Sequence, residues 1–406
     1  MVESTDAGEE IDETEACGSH FGIVRRAGAT ITSNQAIMKR GTPPKSSVLS
    51  FFTGAGFLDL GFEDAGFDIA FANEFHPEFA RGYQHALRAM GRDVPRHGVH
   101  VGSIEDFTEG AGERKLRELV RKEHAADRLV GFIGGPPCPD FSVGGKNRGA
   151  SGDNGRLTRV YFDLITRQKP DWFLFENVRG LFRTHRHREF FDEMRSQVRG
   201  AGYATAERLI NSIEYGAAQD RDRIIMIGVR RKGAGDLAVA WLKHVKHQRA
   251  VLSDLPWPAQ SPFGADAQRP SAIPAELTVS HWFRQNSVAS HPNASHRFAP
   301  RAGLKRFQSV DEGEDSRKSY KRLHRFRYSP TACYGNNEVH LHPTEARRIS
   351  VAEALALQSL PAEFELPPDM TLSDMFKTVG NGVPYLAALG LARTIDGLLA
   401  PSGRGG

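Results

Sequence analysis

The segment Gly135-Pro136-Pro137-Cys138 stands at the end of the apolar run 129–133 and presents one thiol on a turn stiffened by two prolines. Downstream stand Glu176-Asn177-Val178 and Gln219-x-Arg221-x-Arg223, which supply an acid and two cations; upstream lies the glycine-rich turn Phe52-x-Gly54-x-Gly56. A cysteine near a strand end is more often a small core residue than a nucleophile. The company of Cys138 reverses that reading. Ser142 and the flexible stretch Gly144-Gly145-Lys146-Asn147-Arg148-Gly149 follow it with the composition of a closing lid. Neighbouring arginines would help a thiol of ordinary pKa ~8.5 to ionise at neutral pH. Covalent catalysis is the expectation. The plainer readings are a buried strand-end carboxylate for Glu176 and, for Arg221 and Arg223, a solvated pair partnered by Asp220 and Asp222.

A strand that delivers Thr53-Gly54-Ala55-Gly56 into a helix start leaves backbone room for a ligand at the carboxyl edge of a sheet. Leu58 and Asp59 stand two and three residues after Gly56, so the turn is not the dinucleotide pattern GxGxxG and a nicotinamide cofactor is not favoured. Glu74, at the end of the next strand, can accept hydrogen bonds from ribose hydroxyls, and Phe75 can lie against an adenine face. On its own, Glu74 reads equally well as a strand-end glutamate facing water.

These groups need a scaffold. Apolar runs predict strands over 48–52, 68–72, 129–133, 172–175 and 224–229, with helices over 56–65, 77–90 and 157–167. That alternation is the pattern of a parallel, doubly wound, Rossmann-like α/β sheet. Past Arg230, seven prolines from Pro256 to Pro300 interrupt any helix and no long periodic segment returns before Ile349, which predicts a second domain. Helices are expected over 350–358 and 385–399, the latter opened by Gly380-Asn381-Gly382-Val383-Pro384. Residues 1–44, acidic and then rich in small and polar residues, read as a tail.

With 406 residues, 39% hydrophobic and 25% charged, the chain can bury a large core and fill two domains. The absence of an 18-residue apolar run and of a signal sequence predicts a cytoplasmic protein without a membrane span. Cys17, Cys138 and Cys333 are odd in number and widely spaced, which speaks against a disulfide framework or a metal site. The net charge is +4, but residues 1–20 hold seven acids and no Lys or Arg, so the remainder carries about +11. The sharpest concentration is Arg317, Lys318, Lys321, Arg322, Arg325 and Arg327, interleaved with Tyr320, His324, Phe326 and Tyr328. It suits a phosphate backbone, against the plainer reading of a solvated loop. A second cluster, Arg179, Arg183, Arg186 and Arg188, follows the Glu176 motif.

In order and spacing, the motifs at 52–56, 137–138, 176–178, 219–223 and 380–384 make the chain, from about 47 to 399, resemble the cytosine carbon-5 DNA methyltransferases of type II restriction-modification systems. The resemblance implies a methyltransferase domain over 45–231, a smaller irregular target recognition domain over 232–343, and a return segment, 344–406, that completes the first. It implies S-adenosylmethionine bound by Phe52, Gly54, Gly56, Glu74, Phe75, Ile104, Pro137, Asn381 and Gly382. It implies that Cys138 attacks carbon 6 of a flipped cytosine, that Glu176 holds N3, that Arg223 contacts the exocyclic oxygen and that Arg221 supports the site. Double-stranded DNA would be gripped by Ser142 and the 317–327 cluster. The functional partner would be a cognate restriction endonuclease, and the protein itself a monomer. The chain departs from the family pattern at Ser103, where an Asp usually meets the adenine amino group and Asp106 could substitute, and at Phe57 and Ala356. A tRNA cytosine-5 methyltransferase and a non-catalytic DNA-binding protein on the same fold are the competing readings.

Overall fold

The computed structural model describes residues 46–137, 153–183, 185–230, 241, 243–300, 303–317, 319–332, 334 and 338–400. Strand β1 (Ser47–Phe51) is buried along its whole length because helices cover both faces of its sheet. Val48 enters one apolar cluster with Phe62, Phe67, Trp172 and Leu391; Leu49 and Phe51 enter the other with Phe71, Phe132, Phe162 and Phe175. The same alternation recurs in β4 (Val130–Gly134), where Phe132 and Ile133 face opposite ways, and in β5 (Trp172–Val178). Continuous apolar runs are what a strand sandwiched on both faces requires.

The chain runs from β1 through α1 (Phe57–Asp64), β2 (Asp68–Glu74), α2 (Pro77–Ala89), β3 (Val99–Val101) and α3 (Gly110–Ala125) to β4. After α4 (Asp153–Gln168) come β5, α5 (Gly180–Arg183), α6 (His185–Gly200), β6 (Ala204–Asn211) and β7 (Asp222–Val229). The seven strands lie in the order β3-β2-β1-β4-β5-β7-β6. The chain leaves β1 toward β2 and returns on its other side as β4, so the topological switch point falls between β1 and β4.

The expectation of a wholly parallel sheet fails at β7, which is antiparallel to both β5 and β6. The link 212–221 between β6 and β7 is shorter than the dozen or so residues a parallel crossover needs, so the chain can only fold back. Consequently the amino end of β7 joins the carboxyl ends of β1, β2, β4 and β5 at one edge of the sheet. Strands β3 and β6 carry weak sequence signals because they are the sheet's edges: β3 has three residues, and β6 mixes Glu207 and Arg208 into a half-exposed run.

Past β7, short helices at Arg249–Ser253, Val279–Gln285 and Leu304–Gln308 are joined by irregular chain. Gly380 and Asn381 close a helix, Leu372–Asn381, that the sequence reading lacked, and the C-terminal helix Tyr385–Leu399 starts after Pro384. This last helix packs against α1 over the first apolar cluster; the close approach puts the backbone of Leu389 2.6 Å from where a side chain on Gly61 would begin.

At the opposite edge of the sheet, Glu123 of α3 ties the strands down. Its buried carboxylate accepts from Ser47 Oγ at 2.6 Å and Arg128 at 2.7 Å, lies 2.8 Å from His97 Nε2, and also meets Arg96. Burial pushes its carboxyl up, but the donors and the arginine charge outweigh burial and hold the pKa at about 2. Because the folded value lies below that of an unfolded glutamate, the stabilisation is complete above about pH 5 and is lost as pH falls toward 2. Glu123→Gln is expected to lower unfolding free energy by about 2 kcal/mol or more at pH 7, with the gap from the parent narrowing steadily below about pH 5 toward pH 2, read by urea denaturation at each pH.

Candidate active site

The segments after β1, β2, β4 and β5 and the link before β7 lie at the same edge of the sheet. The first, residues 52–56, has Phe52, Gly54 and Gly56 at φ 56°, 60° and 83°. Glycine meets that demand freely; Phe52 holds it against its preference, and such outliers concentrate at ligand clamps. A side chain on Gly56 would overlap the Tyr83 ring at 2.1 Å, so the turn lies flat on α2. A side chain on Gly54 would meet only Thr378 Oγ1, at 3.9 Å. That hydroxyl is buried and has no hydrogen-bond partner among the described residues. Open space over a glycine turn, walled by an unsatisfied hydroxyl, fits a polar ligand.

Glu74 ends β2 beside this turn. Its two oxygens accept the Gly54 and His76 N–H groups, each at 2.8 Å. Burial raises its pKa, and the two amides work against that rise. The carboxylate thus shapes the turn, and it keeps lone pairs for ribose hydroxyls. Phe75 projects beside it, 71% exposed, a bare ring fit for stacking. The Ile104 side chain is buried in the apolar cluster that holds Phe51, Phe71 and Phe107. Ser103 caps the turn Ile104–Phe107 by accepting the Glu105 N–H, and Asp106 is paired with His100 at 2.9 Å.

At the end of β4, Gly135 is forced by Glu176: a side chain there would begin 2.6 Å from Glu176 Oε2. Asn177 Nδ2 donates to the Pro136 carbonyl at 3.4 Å, while its Oδ1 accepts the Val178 N–H. The proline turn and the acid are therefore in contact, with Pro137 exposed. Cys138, Ser142 and Lys318 lie outside the described residues, as does 1–44.

Arg223 Nε is 2.7 Å from Glu176 Oε1, with both side chains about one-tenth exposed. The antiparallel register sets this pair by placing Val178 opposite Arg223. Arg221 has a different position. It is buried, and its guanidinium donates to the carbonyls of Ala332 at 3.1 Å and Gly380 at 2.8 Å. It braces the chain at Ala332 and the 380–382 corner. Asn381, beyond it, is exposed, and Gly382 is held against the Phe57 ring, which a side chain would strike at 2.1 Å.

Gln219 and Asn211 were not singled out as site residues in their own right. Gln219 Nε2 donates to Leu357 O and Gln358 Oε1. Asn211 Oδ1 accepts the Arg221 N–H, and its Nδ2 bridges Asp220 and Asp222. The signal for Asn211 is the pattern Asn211-x-x-Glu214, a capping box that the structure contains.

The basic run divides. Arg322 is corrected from a phosphate contact to an internal brace: it is fully buried, bonded to the carbonyls of Phe307, Val310, His342 and Glu345, and lies 4.2 Å from the Phe263 ring centroid. Burial brings its pKa down to about 10. Arg325 forms a two-pronged pair with the buried Glu312, and Arg327 lies 3.8 Å from Asp315. Arg317 is exposed and Lys321 half-buried, and Lys305 and Arg306, earlier in the chain, are exposed too.

Residues 46–396 match the family of C-5 cytosine-specific DNA methylases. The chain belongs to that family. It is an enzyme, a DNA cytosine-5 methyltransferase of the type II kind, and the family implies S-adenosylmethionine as methyl donor. The methylase is 53% identical over 356 residues to the Type II methyltransferase M.NmeDI of Neisseria meningitidis serogroup C, covering 87% of this chain and 84% of that one. It is 27% identical to M.FnuDI of Fusobacterium nucleatum, over 86% of this chain and 93% of the relative. Its fold is shared with a putative DNA modification methyltransferase from an E. coli prophage (TM-score 0.62, 22% identity, 88% of this chain and 100% of that one). The S. pombe Dnmt2 methyltransferase shares it too (TM-score 0.55, 14% identity, 88% and 99%). No helix among the methylase's described residues is long and apolar enough to cross a membrane.

Removing the Arg221 guanidinium would strand two backbone carbonyls where water does not reach. Arg221→Met is expected to lower the unfolding free energy by roughly 2 kcal/mol or more, while Arg223→Met, at the rim, costs less; paired urea titrations measure the difference.

Proposed function

We propose that the methylase modifies a cytosine flipped out of duplex DNA through a covalent bond to Cys138, at one short recognition sequence that a cognate endonuclease would otherwise cut. The observation that carries this reading is the contact of Glu176 with the proline turn: Gly135, three residues before the thiol, has no room for a side chain beside Glu176 Oε2.

Carbon 5 of cytosine is a weak nucleophile until a nucleophile adds at carbon 6. The Cys138 thiolate makes that bond, and the ring's electrons move toward N3, where the Glu176 carboxyl supplies a proton and a hydrogen bond. Arg223, already holding Glu176, fixes the carboxyl's orientation and presents a cation to the exocyclic oxygen. When bound, S-adenosylmethionine supplies an electrophilic methyl group on its sulfonium. Phe52, Gly54, Gly56, Glu74, Phe75 and Thr378 would line its site, with Pro137, Asn381 and Gly382 completing the wall. After methylation, loss of the carbon-5 proton to a base expels the thiolate and restores the ring. Extrusion of the base costs a few kcal/mol, on the order of 2 to 5, which pocket contacts and the segment after Cys138, including Ser142, offset.

Residues 232–343 form the proposed target recognition domain, with 45–231 and 344–406 as the catalytic part. Arg317, Lys321, Lys305 and Arg306 are its phosphate-facing cations, and Arg322 and Arg325 hold its irregular chain together. Bisulfite sequencing of genomic DNA from cells expressing the methylase tests the reading. Protection at one short fixed sequence is expected, absent in cells expressing Cys138→Ala; undiminished protection in the variant contradicts the covalent route.

A further inference from the structure

Beneath the glycine turn lies a buried polar chain that the proposed mechanism does not use. Asp59, in the first turn of α1, is fully buried. Its Oδ1 accepts from Ser50 Oγ at 2.7 Å, and Ser50 Oγ accepts from Thr53 Oγ1 at 3.0 Å, inside the turn itself. Its Oδ2 has no hydrogen-bond partner among the described residues. The Tyr83 hydroxyl is close enough to interact with the carboxyl yet outside hydrogen-bond geometry, and the Tyr83 ring supports Gly56 from below.

The hydrogen-bonding groups around Asp59 favour a charge but do not outweigh its burial. β1 offers the Ser50 hydroxyl, α2 offers Tyr83, and β2 brings the carboxylate of Glu74. Glu63 lies on the same helix, and its cation Arg92 is shared with Asp64, which is also held by Tyr385 of the C-terminal helix. A bare, unsolvated carboxylate oxygen next to another acid is a costly arrangement, and a proton on Oδ2 removes it.

We infer that Asp59 is a positioning residue for the cofactor turn and that its neutral, protonated form holds Ser50 and Thr53 so that residues 52–56 stay closed for the ligand. Burial, the largest influence, raises its pKa to about 7, with the Ser50 and Tyr83 contacts opposing and Glu74 adding to the rise. Ionisation above that pH would draw water or a cation toward Oδ2 and loosen the turn. The inference rests on the reading of this turn as the cofactor site.

The probe is S-adenosylhomocysteine, which lacks the sulfonium charge and so does not itself attract an ionised Asp59. If only the neutral form is competent, its dissociation constant, measured by calorimetry on the full chain, rises about tenfold between about pH 6 and pH 8. Asp59→Asn keeps the shape and the Ser50 contact without a titrating proton, and its affinity is expected to stay flat over the same range and close to the parent's low-pH value. Thermal unfolding at each pH establishes that both proteins are folded. A flat parent profile, or a variant with the parent's slope, overturns the role of Asp59 while leaving the cofactor site intact. A folded parent that binds the probe at no pH contradicts the site itself.

Discussion

The arrangement of this enzyme depends on the ion pair between Glu176 and Arg223, and that pair depends on a strand running the wrong way for a parallel sheet. Were β7 parallel, Arg223 would sit at the far edge, some eight residues of strand from the acid. Antiparallel insertion between β5 and β6 brings it opposite Val178, one step along the strand from the acid's neighbour Asn177. Glu176 is then gripped from one side by a guanidinium and bounded on the other by Gly135, so its carboxyl has little freedom left. A fixed acid in contact with the proline turn is what a preorganised site requires, its geometry set before substrate arrives.

Two buried arginines show how the parts without regular structure are held in place. Arg221 spans from the link after β6 to the carbonyls of Ala332 and Gly380, three segments that share no strand or helix. Arg322 serves the irregular region in the same way, gathering four carbonyls that no secondary structure satisfies. A planar guanidinium with five donors suits both tasks better than an ammonium. Around Arg322 the apolar cluster is small, with Phe307, Val310 and Leu341 as its buried members, so polar staples carry more of the organisation there.

The sequence was readable where one physical cause dominated. The strands β1, β4 and β5 are mostly apolar and almost wholly buried because both faces are covered, and the motifs at their ends mark the ligand edge. Strand direction was not readable, because pairing in β7 follows from the short link before it and not from its composition. The edge strands β3 and β6 escaped notice for lack of a hydrophobic pattern. The run 317–327 misled for a related reason: its cations look alike in sequence, and only chain folding decides that Arg322 meets carbonyls, Arg325 meets Glu312 and Arg317 meets water. Asp59 was legible as a departure from a dinucleotide pattern, but its burial beneath the turn was not.

The central claim is that the proline turn delivers Cys138 to carbon 6 of a cytosine held by Glu176. Duplex DNA carrying 5-fluorocytosine at the recognition site tests it most directly, because fluorine cannot leave as the carbon-5 proton does and the adduct is trapped after methylation. The account expects a denaturation-resistant protein–DNA complex, dependent on S-adenosylmethionine, whose crosslinked peptide in mass spectrometry contains Cys138. Methylation of ordinary cytosine by the same preparation without such a complex, or a crosslink at Cys17 or Cys333, would contradict it.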